Sequence, residues 1–179
     1  PPQAHWAQAV DLLKWLVLLD NDGGITDHGR QARQLGIHPR LAHMVIRGRA
    51  MGFPVTAARL AALLGERDLL GSHSGADLSL RLQLLSGEYR ANNIDHARLE
   101  AVRRSVDRLL PPEIAKKAGQ PSEDLAGAGR LLALAYPDRI ALRRSGGDNR
   151  YQLSNGRGAR LREEDPLGRE PWLVAADLD

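Results

Sequence analysis

The sequence predicts a mainly α-helical chain, with one helical bundle over about residues 39–141 and a short β tail. Three observations predict it. Apolar residues recur at helical spacing in successive segments between residues 4 and 135. Gly or Pro stands at many of the boundaries between them, as at Gly36, Pro39, Gly52, Pro54 and Pro111-Pro112. After Arg144 the composition turns to Gly and short apolar runs around Asn155-Gly156, a hairpin signal because both residues tolerate positive φ.

In chain order, residues 4–19 predict a first helix, with Trp6, Val10, Leu13, Leu16 and Val17 on its inward face. The cluster Asp20-Asn21-Asp22-Gly23-Gly24 is a turn, and Ile25-Thr26 is long enough only for a very short strand. Thr26 or Asp27 can cap a second helix running to Leu35. Helix, turn, short strand and helix form the tail of a winged helix, but the two full helices expected before the wing are not both present. Gly36 then ends one helix and Pro39 begins the next, since Gly accepts the left-handed cap and Pro suits the first helical turn.

Residues 40–51 place Leu41, Met44 and Val45 inward, and Pro54 opens a helix carrying Leu60, Leu63 and Leu64. Glu66-Arg67-Asp68 closes that helix and reads as an internal salt-bridge group that orients two helices. Gly71-Ser72-His73-Ser74-Gly75 reads as a flexible loop. Residues 77–85 alternate like a strand, yet Leu, Arg and Gln without β-branching favour a helix, which is the assignment made here. Asn93 caps a long helix to Leu110, with Ile94, Leu99, Val102, Val106 and Leu109 on one face and Arg98, Arg103, Arg104 and Arg108 on the rest. Ser122 caps a helix over residues 123–135, which must end before Tyr136-Pro137. The β tail is a hairpin over residues 151–161 and a further strand at Trp172-Leu173-Val174-Ala175-Ala176. An incomplete sheet there leaves unpaired edges, so the tail is expected to be loose or to pair with a neighbour.

The chain of 179 residues carries a formal net charge of +3, and only Lys14, Lys116 and Lys117 among its 25 basic residues are lysine. From residue 28 to residue 65 there is no acid, yet Arg30, Arg33, Arg40, Arg47, Arg49 and Arg59 all fall there. A solvated helix face usually mixes signs, so the run points to an anionic partner. There is no Cys, no paired-His metal signature and no apolar run of membrane length, so a metal site and a membrane partner are not expected and the chain reads as cytoplasmic. No lysine sits in a phosphate-binding loop, and Glu163-Glu164-Asp165 reads as a solvated loop, so no catalytic residue is nominated.

Several stretches resemble bacterial HrpB-type ATP-dependent RNA helicases of the DEAH/RHA group. They include Gly24-Ile25-Thr26, His28-Gly29-Arg30 and His38-Pro39-Arg40-Leu41-Ala42-His43-Met44. Glu66-Arg67-Asp68, Ala135-Tyr136-Pro137-Asp138-Arg139-Ile140-Ala141, Asn155-Gly156-Arg157-Gly158-Ala159 and Trp172-Leu173-Val174 continue the set, while residues 87–123 match only in helical pattern. The resemblance implies a piece of a larger machine. Residues 1–38 would be a winged-helix remnant, 39–143 a ratchet-like helical bundle, and 144–179 the first strands of an OB-like barrel. It also implies missing motor domains of the same polypeptide that hold ATP and magnesium, with no cofactor in this piece.

The expected partner is single-stranded RNA, held chiefly through its phosphates, with Arg30, Arg33, Arg40, Arg47, Arg103 and Arg104 as the nominated contacts. Stacking should matter less, because the seven aromatics (Trp6, Trp15, Phe53, Tyr89, Tyr136, Tyr151 and Trp172) fall mostly on apolar faces. Pro39, Arg67, Asp68, Asn155 and Gly156 are nominated as structural, and His38, Arg40 and His43 have an equally simple reading as residues that cap and fill the helix joint. The competing readings are a winged-helix DNA-binding regulator, which needs a complete three-helix unit, and a helical protein-interaction module.

Overall fold

The computed structural model of the chain describes residues 3–70, 74–90, 94–115, 124–146 and 148–178. The caps expected at Asn93 and Ser122, Glu123 and most of the loop at residues 71–75 lie outside them. The described helices are α1 (Gln3–Trp15), α2 (Asp27–Gln34), α3 (Pro39–Ala50), α4 (Pro54–Leu64), α5 (Ser79–Ser86), α6 (His96–Leu109), the single turn α7 (Pro112–Ala115) and α8 (Asp124–Ala135). Four short strands follow: β1 (Ile140–Arg143), β2 (Arg150–Leu153), β3 (Gly158–Arg160) and β4 (Trp172–Val174). The fold is therefore mainly helical with a small antiparallel sheet.

Local chemistry explains the boundaries. Thr26 caps α2: its hydroxyl oxygen accepts from the Gly29 N–H at 2.9 Å and donates to the Val17 carbonyl at 2.7 Å. The expected short strand is a single antiparallel bridge, Leu19 to Ile25. Gly36 takes φ +64° between α2 and α3, a left-handed conformation that costs a side chain far more than glycine. His38 caps α3 through its ring nitrogen Nδ1, which accepts from the Arg40 N–H at 3.3 Å, and Pro39 occupies the first turn as expected. Residues 79–86 are helical, so helix propensity prevailed over the alternating apolar pattern. The cap of α6 is Asp95.

The core forms where α3, α4, α5, α6 and α8 converge, on Met44, Val45, Leu60, Leu82, Val102 and Leu131. Two glycines set how closely the helices approach. A Cβ on Gly48 would lie 2.5 Å from the Ala57 Cβ and 2.9 Å from a Leu131 methyl, and one on Gly127 would lie 2.8 Å from the Phe53 ring. A smaller cluster of Leu16, Leu18, Ala32 and Ala42 joins the turn after α1 to α2 and α3. α1 contributes little to it. Trp6 and Val17, both expected inward, are 64% and 58% exposed: Trp6 lies on a part of α1 that no described element covers, and Val17 turns out with φ +58° after the helix ends at Trp15.

The sheet has strand order β3-β2-β1-β4 and is not a closed barrel. Its central strand β1 begins at Ile140, inside the stretch read from the sequence as the end of the bundle. Within the tail β1 pairs with both β2 and β4, in registers Ala141 to Leu153 and Ala141 to Leu173, and β3 and β4 are the edge strands. Tyr151 is buried beneath it, its hydroxyl 2.9 and 2.8 Å from the Leu167 and Glu170 carbonyls. The buried Asp165 carboxylate accepts from the N–H of Ala76 at 2.7 Å and of Leu167 at 3.0 Å, tying the tail to the segment before α5. The hairpin forms where Asn155-Gly156 placed it, but only Gly156 takes positive φ, at +85°. Leu153 N–H bonds to Arg157 O, so the loop has three residues rather than two.

One ion pair joins bundle and sheet. Arg40 donates two hydrogen bonds to Asp138, at 2.5 and 2.9 Å, and a third to the Ala135 carbonyl at 2.9 Å. The two side chains are 10% and 19% exposed. Arg40 and Arg139 also lie over the Tyr136 ring, 5.3 and 5.1 Å from its centroid. Arg40→Ala removes one partner of a mostly buried pair and should lower stability by about 3 kcal/mol, read as a reduced urea midpoint with an unchanged slope. Gly48→Ala should cost about 1–3 kcal/mol in the same measurement, because α3 must move away from α4 and α8.

Candidate nucleic-acid interface

The nominated arginines separate into distinct environments. Arg40 is 8% exposed and committed to Asp138, which removes it from the surface expected to meet RNA. Sequence separation hid this partner, since the acid lies 98 residues away. Arg30 is exposed but bonds to Asp27 and to the Ile25 carbonyl. Arg103 pairs with Glu100 at 2.8 Å along its own helix. Arg33, Arg47 and Arg104 are exposed and have no ion-pair partner among the described residues. α6 packs on α4 whereas α2 packs on α3, so Arg103 and Arg104 are not brought together with the arginines of α2.

The ion pair expected at Glu66-Arg67-Asp68 is present with a different cation. Asp68 accepts from Arg81 of α5 at 2.6 and 3.0 Å, and Arg67 is exposed. Arg81 is 5% exposed and also donates to the carbonyls of Gly75 and Asp77, so it orders the approach to α5. Burial alone would raise the Asp68 and Asp138 carboxyls, but hydrogen bonds and charge from Arg81 and Arg40 hold both below their ordinary range.

The joint of α2 and α3 contains a feature the sequence reading missed. His28, in the first turn of α2, meets His43 of α3 with Nε2 2.8 Å from Nδ1 and the rings edge to face at 4.9 Å. His43 is 8% exposed. Burial, then His28 and Arg47, lowers its pKa to about 4, against a small opposing effect of a hydrogen bond at the Leu16 backbone. Burial and Arg47 lower His28 as well. Arg47 stands one helical turn beyond His43. Both histidines lie in stretches that carried the helicase resemblance, yet 15 residues separate them and no local spacing links them. His38 is also lowered, by burial and by the cations Arg40 and Arg139.

The aromatic side chains correct the expectation that stacking residues are mostly buried. Trp6, Trp15 and Trp172 are 64%, 57% and 62% exposed, and Tyr89 is exposed too. A shallow groove of about 310 Å³ lies between the end of α1 and α2. Leu13, Leu18, Ile25, Ala32 and Ile37 line it, and Arg33 is its only charged wall. Among the described residues no group of three His, Asp or Glu is placed to hold a metal ion, and no helix is long and apolar enough to cross a membrane.

No family model matches the chain. Over 175 residues it is 32% identical to the ATP-dependent RNA helicase HrpB of Escherichia coli K12, a match covering 98% of this chain and 19% of that protein. Two crystal structures of E. coli HrpB, described as a DExH-box NTPase and as a DEAH/RHA helicase, superpose with TM-scores of 0.71 and 0.74. The chain is related to the HrpB-type helicases. At 32% and 31% identity the superpositions cover 98% of the chain but only 19% and 20% of the two HrpB structures. The match therefore extends through residues 87–123, where the sequence alone supplied only a helical pattern. The chain spans about a fifth of the length of the HrpB proteins it matches.

The histidine pair makes stability pH-dependent in a defined direction. A histidine whose folded pKa lies below its ordinary value binds fewer protons in the folded state, so stability falls as pH falls. The His43 contribution is fully present above pH 6.5 and is lost progressively as the pH falls from 6.5 to about 4. The whole loss is on the order of 3 kcal/mol. Urea midpoints measured between about pH 7 and about pH 5.5, above the carboxylate range, should fall more steeply for the parent chain than for His43→Leu, in which only the lowered His28 and His38 still contribute.

Proposed function

We propose that this chain is an accessory region of a HrpB-type ATP-dependent RNA helicase that lines the path of single-stranded RNA behind the motor domains. In this reading residues 1–38 are the end of a winged helix, residues 39–143 the ratchet-like bundle, and residues 144–179 the start of an OB-like region. ATP and magnesium belong to motor domains elsewhere in the polypeptide, whose site of action is the cytoplasm. The observation that carries the proposal is the α2–α3 surface. Arg33 of α2 and Arg47 of α3 are exposed with no ion-pair partner among the described residues, and Arg47 is close enough to two histidines to hold both towards the neutral form. Unpaired guanidinium groups are free to fork onto phosphate oxygens. Arg40, which the sequence nominated for this role, instead holds the surface in place.

A second role is favoured by the apolar groove and the exposed Trp6, Trp15, Val17 and Ile25 beside α1. An exposed apolar patch of this kind marks an interaction site, and docking against other parts of a longer polypeptide suits it. This face and the arginine surface serve the same machine.

Binding to homopolymer RNAs tests the main reading. The chain should bind them weakly, with little difference between sequences, and with affinity that falls as salt rises. Each phosphate contact removed should reduce the slope of log affinity against log salt by about 0.7. Arg33→Ala with Arg47→Ala should weaken binding evenly across homopolymers and flatten the slope. Arg144→Ala with Arg157→Ala, on the sheet, controls for general loss of charge. Equal effects of the two pairs would mean that the α2–α3 surface is not the binding site.

A further inference from the structure

The seam between α2 and α3 is held by few contacts. In α2 only Gly29 and Ala32 are buried, and Ala32 joins Leu16, Leu18 and Ala42 in the small cluster that seats the helix. Among the described residues, the contact of His28 Nε2 with His43 Nδ1 at 2.8 Å is the only side-chain hydrogen bond between α2 and α3, and no ion pair joins the two helices. On its other side α2 is tied to the turn after α1. The Thr26 N–H donates to the Leu18 carbonyl at 3.1 Å, and the Thr26 hydroxyl donates to the Val17 carbonyl at 2.7 Å. Residues 16–35 therefore form a unit that can part from α3 with these bonds intact.

Whichever ring donates in the His28–His43 bond, the other must accept through a lone pair, so the bond does not survive protonation of both rings. Both nitrogens would then carry hydrogen, in two cations that meet at 2.8 Å. The charged groups around them do not offset this. On α2, Asp27 is held by Arg30, and Arg33 adds a cation; on α3, Arg47 stands one turn beyond His43, and Arg40 is committed to Asp138. In the turn after α1, Asp20 accepts from the Asp22 and Gly24 N–H groups, and Lys14 donates to the Asn21 carbonyl. No carboxylate among the described residues forms an ion pair with either ring. His43 is 8% exposed, so a charge on it is kept from water while the joint is closed. The ion pairs of the bundle respond in the opposite way. Asp68 and Asp138, bonded to Arg81 and Arg40, are held below the ordinary carboxylate range, so they outlast the histidine pair as the pH falls.

We propose that the α2–α3 joint is an acid-released latch: protonation of both rings of the His28–His43 pair frees α2 and the turn before it from a bundle that stays folded. Release hydrates both rings and separates Arg33 on α2 from Arg47 on α3. The latch does not depend on what those two arginines bind. Opening takes up a proton at each ring that the closed joint holds neutral. The open population therefore rises about ten-fold per pH unit for each proton bound.

Hydrogen exchange of the full chain tests this between about pH 6.5 and about pH 4.5, read segment by segment and corrected for the pH dependence of intrinsic exchange. Amides of α2 should be less protected than those of α4 at every pH. They should lose protection about ten-fold per pH unit, until they exchange freely while α4 is still protected. His43→Leu should weaken that dependence, and His28→Leu with His43→Leu should remove it, leaving α2 equally protected across the range. The comparison of α2 with α4 within the parent chain decides the matter even where a variant fails to fold. Equal protection of the two helices at each pH would mean that α2 leaves only when the whole bundle unfolds, and would overturn the latch. A pH dependence of α2 that persists at full strength in the double variant would overturn it as well, because the two rings would not be its cause.

Discussion

The pairing of Arg40 with Asp138 is the constraint on which the rest of the molecule depends. Arg40 lies in the first turn of α3 and Asp138 between α8 and β1, so the pair joins the first helix of the bundle to its exit. An arginine so far removed from water is tolerable because its charge is paired and three of its five N–H donors are hydrogen-bonded. Two go to the carboxylate and one to the Ala135 carbonyl, and the guanidinium lies over Tyr136. Arg139, on the other residue beside Tyr136, donates to the Ala176 carbonyl at 2.8 Å and draws in the chain after β4. The position of the sheet on the bundle follows from these few contacts. With α3 so anchored, His43 and Arg47 are carried to the face that meets α2.

That face shows how stability and surface polarity are linked. His43 is buried and uncharged, which gives His28 a fixed partner and leaves Arg47 as the main cation of the joint. Had both histidines been charged, the two rings would repel, and both nitrogens in the contact would be donors. The same burial that costs stability in acid therefore produces a surface of mixed polarity at neutral pH.

α1 shows the opposite balance. Most of its described side chains are exposed, and Trp6 and Trp15 lie in the open while Leu12 and Leu13 alone reach the small cluster beneath. The helical spacing that marks those residues as inward is real, but the surface to face them is not supplied by the elements around it. The HrpB proteins that this chain matches are about five times longer, since the match covers 19% of them.

The amino-acid sequence by itself determined the elements, because their causes are local. Thr26 as cap, Gly36 and Gly156 in left-handed conformations, Pro39 and Pro54 in first turns, and leucine-rich helix formers in α5 each act within a few residues. Order and spacing of residues also carried the likeness to HrpB-type helicases. Only the tertiary structure decided which charges were used internally. Asp138 for Arg40, Arg81 for Asp68 and His28 for His43 are pairings across 98, 13 and 15 residues. It likewise made β1 the central strand, because strand pairing depends on β2 and β4, which arrive later in the chain. The charges along the sequence could be counted before folding, but whether each remains available for a phosphate depends on what the fold places beside it.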